Sequence, residues 1–401
     1  MRAYDAAAEE AARARDLLKD WAGEGLLTEA QYRLMEQETV CELRRTNIFL
    51  RLVLFLFTLI IVGAGGALFY VVFLPRPGSQ GTGVFLLIGA AVTYVGAELA
   101  AARARLYRYG IEEALAACSI GLLCLGMQLT LFEGGVFPRT SGMEVLVPVA
   151  GVIASLWIWY RFGLWYALPA AMIFAVWLPS HWTASGEAHH SIVAVLYAAA
   201  LCAVIAVRRR HRFTYLNYDY SIAEALLWLG IYLAINLQLS HVDFLGRWWR
   251  GSRTLIELSP PFYWATWVLI WCLPPVIIVR GLRQKDRFVI AIGGLAAVLT
   301  LATNKPYLGW QRHTWDPMLL GVLLIAVALL VRRWLARGPG EIRSGFTARR
   351  LSGKDKAWLN AGITAFGFAT PSVVPPSAHA SDPTVQFGGG DSGGGGASSD
   401  F

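Results

Sequence analysis

The 401-residue chain has little charge. Asp, Glu, Lys and Arg make up 15% of it, where an ordinary soluble domain carries about a quarter. That shortage argues against a water-soluble enzyme or binding domain before any motif is read. Cysteine is scarce too. Of Cys41, Cys118, Cys124, Cys202 and Cys272, all but Cys41 lie in apolar runs and no two have C-x-x-C spacing, so neither a disulfide framework nor a thiolate zinc site is expected. No G-x-x-x-x-G-K-[ST], H-E-x-x-H or G-x-S-x-G occurs, which leaves no phosphate loop, metalloprotease helix or nucleophile elbow. No cofactor is implied. No apolar run precedes residue 48, so a cleavable signal peptide is not expected.

What is present is apolar and comes in blocks. Hydrophobic residues form 56% of the chain and mean hydropathy is +0.48. A helix needs about 20 residues to cross the hydrocarbon core. Ten blocks qualify as candidates: 48–74, 83–101, 111–132, 143–160, 164–178, 191–207, 221–239, 262–279, 288–301 and 317–334. The expected fold is all-α, a polytopic transmembrane helix bundle embedded in a lipid bilayer, with about ten spans. The fifth and ninth blocks are short. Pro169 lies in the fifth, which only Arg161-Phe162-Gly163 separates from the fourth, so this pair is either a tight hairpin or a re-entrant one that leaves eight full spans. Pro274-Pro275 is expected to kink or break the eighth.

Charge sets the orientation. With the N-terminus inside, the inner flanks and loops hold 18 Lys/Arg and the outer loops 7. This is the positive-inside pattern, and with an even number of spans it places both termini in the cytoplasm. Trp177, Trp182, Trp248, Trp249, Trp310 and Trp315 fall at the outer boundary, as an aromatic belt does. The net charge of +8 is therefore a property of inner loops and implies no nucleic acid. The basic clusters at 208–212 and 280–287 can touch anionic lipid headgroups, although their topogenic role is a sufficient explanation.

Residues 1–47 are polar and acidic, with ten Asp/Glu against seven Lys/Arg. They read as a cytoplasmic amphipathic helical hairpin. One helix runs over 5–21 and stops at Gly23 and Gly25. A second opens on Thr28-Glu29-Ala30-Gln31, a capping-box pattern, with Tyr32, Met35 and Leu43 as its apolar stripe. Residues 48–336 form the bundle and 337–401 a cytoplasmic tail. Within the tail, 357–370 is mildly apolar and suits a membrane surface, and 371–401 is rich in Pro, Ser and Gly and is expected to be disordered.

The stretch Leu17-Leu18-Lys19-Asp20-Trp21-Ala22-Gly23-Glu24-Gly25-Leu26-Leu27-Thr28-Glu29-Ala30-Gln31 resembles the opening of the DUF2157 family of predicted bacterial membrane proteins. That family has a Trp, a Gly-Leu-Ile-like turn and a Thr/Ser-Glu-x-Gln helix start before a long apolar span. Leu27 stands here where Ile is more usual. The resemblance covers roughly the first 75 residues. The Gly-rich ending with Phe401 is similar to the tails of TPM-domain and other bacterial membrane proteins. These resemblances imply a bacterial inner (cytoplasmic) membrane and no particular reaction.

Ionisable residues inside apolar runs are the natural place to look for function, because a charge at mid-bilayer costs about 2.5 kcal/mol or more. Glu98 and Glu224 each lie within a turn of the inner end of a span, and Glu112 and Glu113 open the third span at that face. Together they can line a vestibule for a cation or a proton. Equally, they can reach the interface and pair with Arg103, Arg105 or Arg108. On a helical wheel Gln238 returns to within about 40° of Glu224, with Trp228, Ile231 and Ile235 between them and Asn236 about 120° away. Such a stripe can face a substrate path. Gln238, Asn236 and Gln128 are just as well suited to hydrogen bonds between helices, the commoner use.

His181, His189 and His190 share an outer loop with Glu187, His241 lies near Asp243, and His313 near Asp316. These are weak metal candidates, since no pair has ligand spacing, and solvated loop histidines are the expectation. Gly63, Gly65, Gly66, Gly293 and Gly294 suggest close helix approaches. Three classes remain: a non-enzymatic scaffold or sensor with the N-terminal hairpin as its site for a protein partner, a secondary transporter with a polar path near the second, third and seventh spans, and a membrane-embedded enzyme.

Overall fold

A computed structural model gives the fold and describes all residues except 1–2, 24, 40–42, 45, 74–77, 134–142, 184, 212–213, 215, 241–257, 311–312, 314, 339–341, 344–345 and 348–401. The chain divides into two units, Met1–Arg349 and Arg350–Phe401. Every described element belongs to the first, and the expectations for Cys41, His241, Asp243, Trp248, Trp249 and the tail segments 357–370 and 371–401 fall outside the described residues.

The described chain is helical apart from a pair of two-residue strands, Ile342–Arg343 and Phe346–Thr347. Two helices form the N-terminal hairpin: α1 (Ala6–Gly23) and α2 (Glu29–Glu38). The capping box of α2 is made as its sequence indicates, the Gln31 N–H donating to Thr28 Oγ1 at 3.3 Å and the Thr28 N–H to Gln31 Oε1 at 3.0 Å. The bundle follows with α3 (Ile48–Phe73), α4 (Ser79–Ala102), α5 (Ile111–Gln128, prolonged by a π turn over Leu129–Glu133), α6 (Leu146–Phe162), α7 (Ala167–Trp177) and α8 (Gly186–Arg210). It is completed by α9 (Asn217–Ile235), a short α10 (Leu237–Ser240), α11 (Pro260–Gln284), α12 (Arg287–Tyr307) and α13 (Asp316–Ala336).

Eight helical segments among the described residues are long and apolar enough to cross a membrane. The molecule is thus a multi-pass helical membrane protein whose apolar helices face lipid. Two of the ten apolar blocks fall outside that set. The fifth is α7, 11 residues continued by a 3₁₀ turn over Leu178–His181. The seventh is α9, whose 19 residues begin with polar Asn217, Asp219 and Ser221. The ninth block is not short, because α12 runs on through Thr303 and Asn304 to Tyr307.

The Pro274-Pro275 pair does not break its helix, and α11 runs through it from Pro260 to Gln284. Proline 274 has no N–H for the carbonyl four residues earlier, that of Ile270. The Thr300 hydroxyl of α12 donates to that carbonyl instead, at 2.9 Å. A neighbouring helix thus satisfies the group that the proline leaves open, which is how proline is tolerated in lipid.

Packing follows small residues. Helix α4, which packs on α5, buries Gly83, Ala90 and Ala97 at intervals of seven, and Ala101 one turn further on. A Cβ at Gly83 would lie 2.5 Å from the Thr130 backbone nitrogen and 2.9 Å from the Gly126 carbonyl oxygen, so two backbones touch there. At Gly110 φ is +103°, and a Cβ would run into the Arg51 carbonyl, so glycine is required where α3 meets the start of α5. Gly63, Gly65, Gly66 and Gly294 make no such approach, and the close contacts lie at Gly83, Gly110, Gly126, Gly281 and Gly293. Helix α5 touches α3, α4 and α6, while α9 touches α7, α8, α11 and α12. Helices α3 and α13 have no buried residue, as expected of apolar helices that face lipid.

Candidate functional site: a lattice of buried ion pairs

The predicted acidic residues do converge on one end of the bundle, where α3, α5, α9 and α12 begin and α4, α6, α8 and α11 end. Glu98, Glu113 and Glu224 each meet different arginines, while Glu112 accepts the Tyr109 N–H at 2.7 Å. Glu98 of α4 accepts from Arg161 at the end of α6, Nε to Oε1 at 2.7 Å and Nη2 to Oε2 at 2.9 Å, and from the Tyr94 hydroxyl at 2.9 Å. Glu113 of α5 takes a bidentate pair from Arg51 of α3, with Arg51 Nε 2.9 Å from Oε2 and Nη2 donating to Oε1. Glu224 of α9 is completely buried and sits between Arg208 of α8, 2.7 Å away, and Nε of Arg280 of α11. The arginines are therefore Arg51, Arg161, Arg208 and Arg280, and not the Arg103, Arg105 and Arg108 that sequence proximity suggested.

Arg208 is the most heavily engaged. Besides Glu224 it donates to Asn217 Oδ1 at 3.0 Å and Gln284 Oε1 at 3.2 Å, and it pairs with Asp286 Oδ2 at 2.6 Å. Asp286 also accepts from the Ser221 hydroxyl, and its Oδ1 accepts from the Phe288 N–H at 3.0 Å, capping α12. One guanidinium thus ties together the ends of α8 and α11 and the starts of α9 and α12.

The sequence reading missed the second half of this lattice. The N-terminal hairpin does not stand apart from the bundle. The Ala3 N–H donates to the Arg161 carbonyl at 2.8 Å, and Tyr4 packs edge-on against Tyr107 in the α4–α5 loop with ring centroids 5.0 Å apart. Glu9, 1% exposed, accepts from Arg13 at 2.9 Å and from the Tyr107 hydroxyl at 3.2 Å. Arg13 reaches Asp219 of α9 at 2.8 Å, and Arg108 stands 3.8 Å from the other oxygen of Asp219. Residue 44 joins the same loop, with the Arg44 N–H on the Arg105 carbonyl at 2.9 Å and the Tyr107 N–H on the Arg44 carbonyl at 3.0 Å. Burial pushes the Tyr107 phenol above its usual range, with Arg108 partly offsetting the rise. For Arg13, burial opposes the charge, but Tyr107, Asp219 and Glu9 outweigh it and raise the guanidinium further.

The start of α9 is accordingly a hub. Asp219 receives the hairpin, while Asn217, Ser221 and Glu224 receive α8, α11 and the α12 cap. The hairpin signal was weak in the sequence because α1 docks through the small Ala12 and the paired Glu9, and not through a stripe of large apolar residues. Helix α2 has no buried residue, so its Tyr32 and Met35 form no core stripe.

The remaining candidates lie elsewhere. Gln128 closes α5 at the end opposite Glu112 and Glu113. The stripe drawn from Glu224 to Gln238 does not form, because α9 stops at Ile235 and Gln238 sits in the separate α10, donating to the Tyr263 hydroxyl at 3.2 Å. Asn236, at the break, is the fully buried residue. Its Nδ2 donates to the Tyr232 hydroxyl at 2.9 Å and to Thr303 Oγ1 at 3.1 Å, while its Oδ1 has no partner among the described residues. Asn236→Leu is expected to cost no more than about 1–2 kcal/mol in a detergent thermal melt, since it removes an unpaired buried acceptor along with one bond within α9 and one to α12.

The histidines are dispersed. His181 leans on Trp177 and stands 4.0 Å from Glu144, His190 Nδ1 lies 2.8 Å from the Ala234 carbonyl, and His313 stacks on Trp315. Among the described residues no three His, Cys, Asp or Glu are grouped to hold a metal ion. Comparison with known proteins adds no relative: no family model, curated protein or solved structure matches this chain.

Proposed function

We propose that this chain is a non-enzymatic scaffold or sensor of the bacterial inner membrane, and that its N-terminal hairpin is the element that meets a protein partner. The carrying observation is the Glu9–Arg13–Asp219 link, which couples the hairpin to the buried start of α9. A partner that binds the hairpin thereby acts on the helix that four others touch. The hairpin offers such a partner exposed Leu17, Trp21, Leu26, Leu34 and Met35. The DUF2157-like opening supports the bacterial placement. Ten spans with both termini inside fit the charge asymmetry, and α9 is long enough at about 28 Å to cross. Deleting residues 1–45 is expected to abolish recovery of a specific protein from membranes carrying the tagged chain. A set of captured proteins unchanged by the deletion contradicts the proposal.

A second reading, a secondary transporter of a small solute or ion, is favoured by the break in α9 at buried Asn236. Discontinuous helices with polar residues at the break are how such carriers bind their cargo.

A further inference from the structure

At the end of the bundle where the ion pairs gather, one acid differs from the rest. Glu98, Glu113, Glu224 and Asp286 have arginine partners, as do Glu9 and Asp219. Glu112 is 0% exposed and has none among the described residues. Its Oε1 accepts the Tyr109 N–H at 2.7 Å, and its Oε2 has no hydrogen-bond partner among the described residues. A second orphan lies in the same core. The Tyr4 hydroxyl is buried and has no partner among the described residues either. Both stand beside the α4–α5 loop, where Tyr4 packs edge-on against Tyr107 and Tyr109, two residues on, holds Glu112 through its N–H; the charge of Glu112 helps burial to raise the Tyr4 phenol.

A buried carboxylate that lacks a cation and leaves one oxygen without a donor is a costly arrangement for a protein to hold. Two atoms from distant parts of the chain, both unsatisfied and both sealed from water, mark a place where something small and positive belongs. We propose that Glu112 is a binding site for a single monovalent cation, a proton or an alkali ion, closed over by Tyr4, and that its occupancy holds the N-terminal segment on the bundle. A proton on Oε2 neutralises the carboxylate and gives that oxygen an O–H to donate. An alkali ion would lie between the carboxylate and the phenol oxygen. Either removes the unpaired charge.

The charged and titratable groups that act on Glu112 are Arg51 from α3, Glu113 beside it, Tyr4 from the N-terminal segment and Tyr166 ahead of α7, while Glu9 and Tyr107 act on Tyr4. Arg51 is committed to Glu113 and Arg13 to Glu9 and Asp219, so neither is available to Glu112. Docking takes up the cation, so acid or alkali ion favours it and a rise in pH without alkali ion opposes it. This inference deepens the sensor reading and rests on it only for its use in the cell. The measurement below needs no partner, so it can fail where the capture experiment succeeds, and the reverse.

The test is hydrogen exchange over Ala6–Gly23 in the full chain in detergent, as protection factors corrected for intrinsic rates. It runs from about pH 6 to about pH 9, where acids in arginine pairs stay ionised. In choline chloride, protection is expected to fall by about tenfold or more as the pH rises, the change one coupled ionisation gives per pH unit. Recovery at high pH in sodium or potassium chloride of equal ionic strength assigns an alkali ion. No recovery assigns a proton. Glu112→Gln, neutral at every pH, is expected to stay protected throughout. If that variant does not fold, Tyr4→Phe keeps the ring packing, loses the oxygen, and is expected to flatten the response. Wild-type protection indifferent to pH and to salt overturns the proposal, as does a wild-type response in either variant.

Discussion

Replacing Arg208 with alanine is expected to destabilise the bundle by about 3–5 kcal/mol, the usual consequence of removing one member of a buried ion pair. The size of the effect comes from what stays behind. Among the described residues, fully buried Glu224 then retains only Arg280, while Asp286 retains the Ser221 hydroxyl and the α12 cap but no cation. Arg208→Lys is expected to recover only part of the loss. One ammonium cannot reach Asn217, Glu224, Gln284 and Asp286 together, whereas the planar guanidinium does. Glu224→Gln, which keeps the shape and both arginines, is expected to cost less than Arg208→Ala. Thermal or denaturant unfolding in detergent micelles checks the order of the three variants.

Arg13→Ala is expected to act differently, by releasing α1 without melting the bundle. Glu9 and Asp219 both lose their shared guanidinium, and Arg108 stands 3.8 Å from Asp219, beyond hydrogen-bond distance. The strain can be relieved by undocking. Once α1 lifts away, Glu9 enters water with it and Asp219 is uncovered, so the stability lost cannot exceed the docking free energy of the segment. The expected signature is fast hydrogen exchange over Ala6–Gly23 with little change in the unfolding midpoint of the rest.

These two variants also separate what the sequence disclosed from what it did not. Each of the ten apolar blocks is largely helical, because a run of apolar residues has few other ways to satisfy its backbone in lipid. The Thr28–Gln31 capping box was legible since it is a local pattern. Glu98, Glu113 and Glu224 stood out as acids near span ends, but their partners did not. Glu98 lies 63 residues from Arg161, and Glu113 lies 62 from Arg51. Periodicity says which face of a helix is polar and nothing about which helix stands next to it. The stop of α9 at Asn236 was invisible for another reason. The run Ala-Ile-Asn-Leu-Gln contains neither Gly nor Pro, and hydrogen bonds that Asn236 and Leu237 donate to the Thr303 and Tyr307 hydroxyls of α12 hold the break. The reverse happened at Pro274-Pro275, where a strong local breaker was overruled by the Thr300 hydroxyl.

The central claim is that the N-terminal segment is fastened to α9 through Arg13 and Asp219. A double-mutant cycle with Arg13→Ala and Asp219→Asn, read as exchange protection over Ala6–Gly23, tests it most directly. The account predicts that each single change strips most of the protection and that the second adds little once the first is made. Additive losses, or protection that survives both changes, would contradict it.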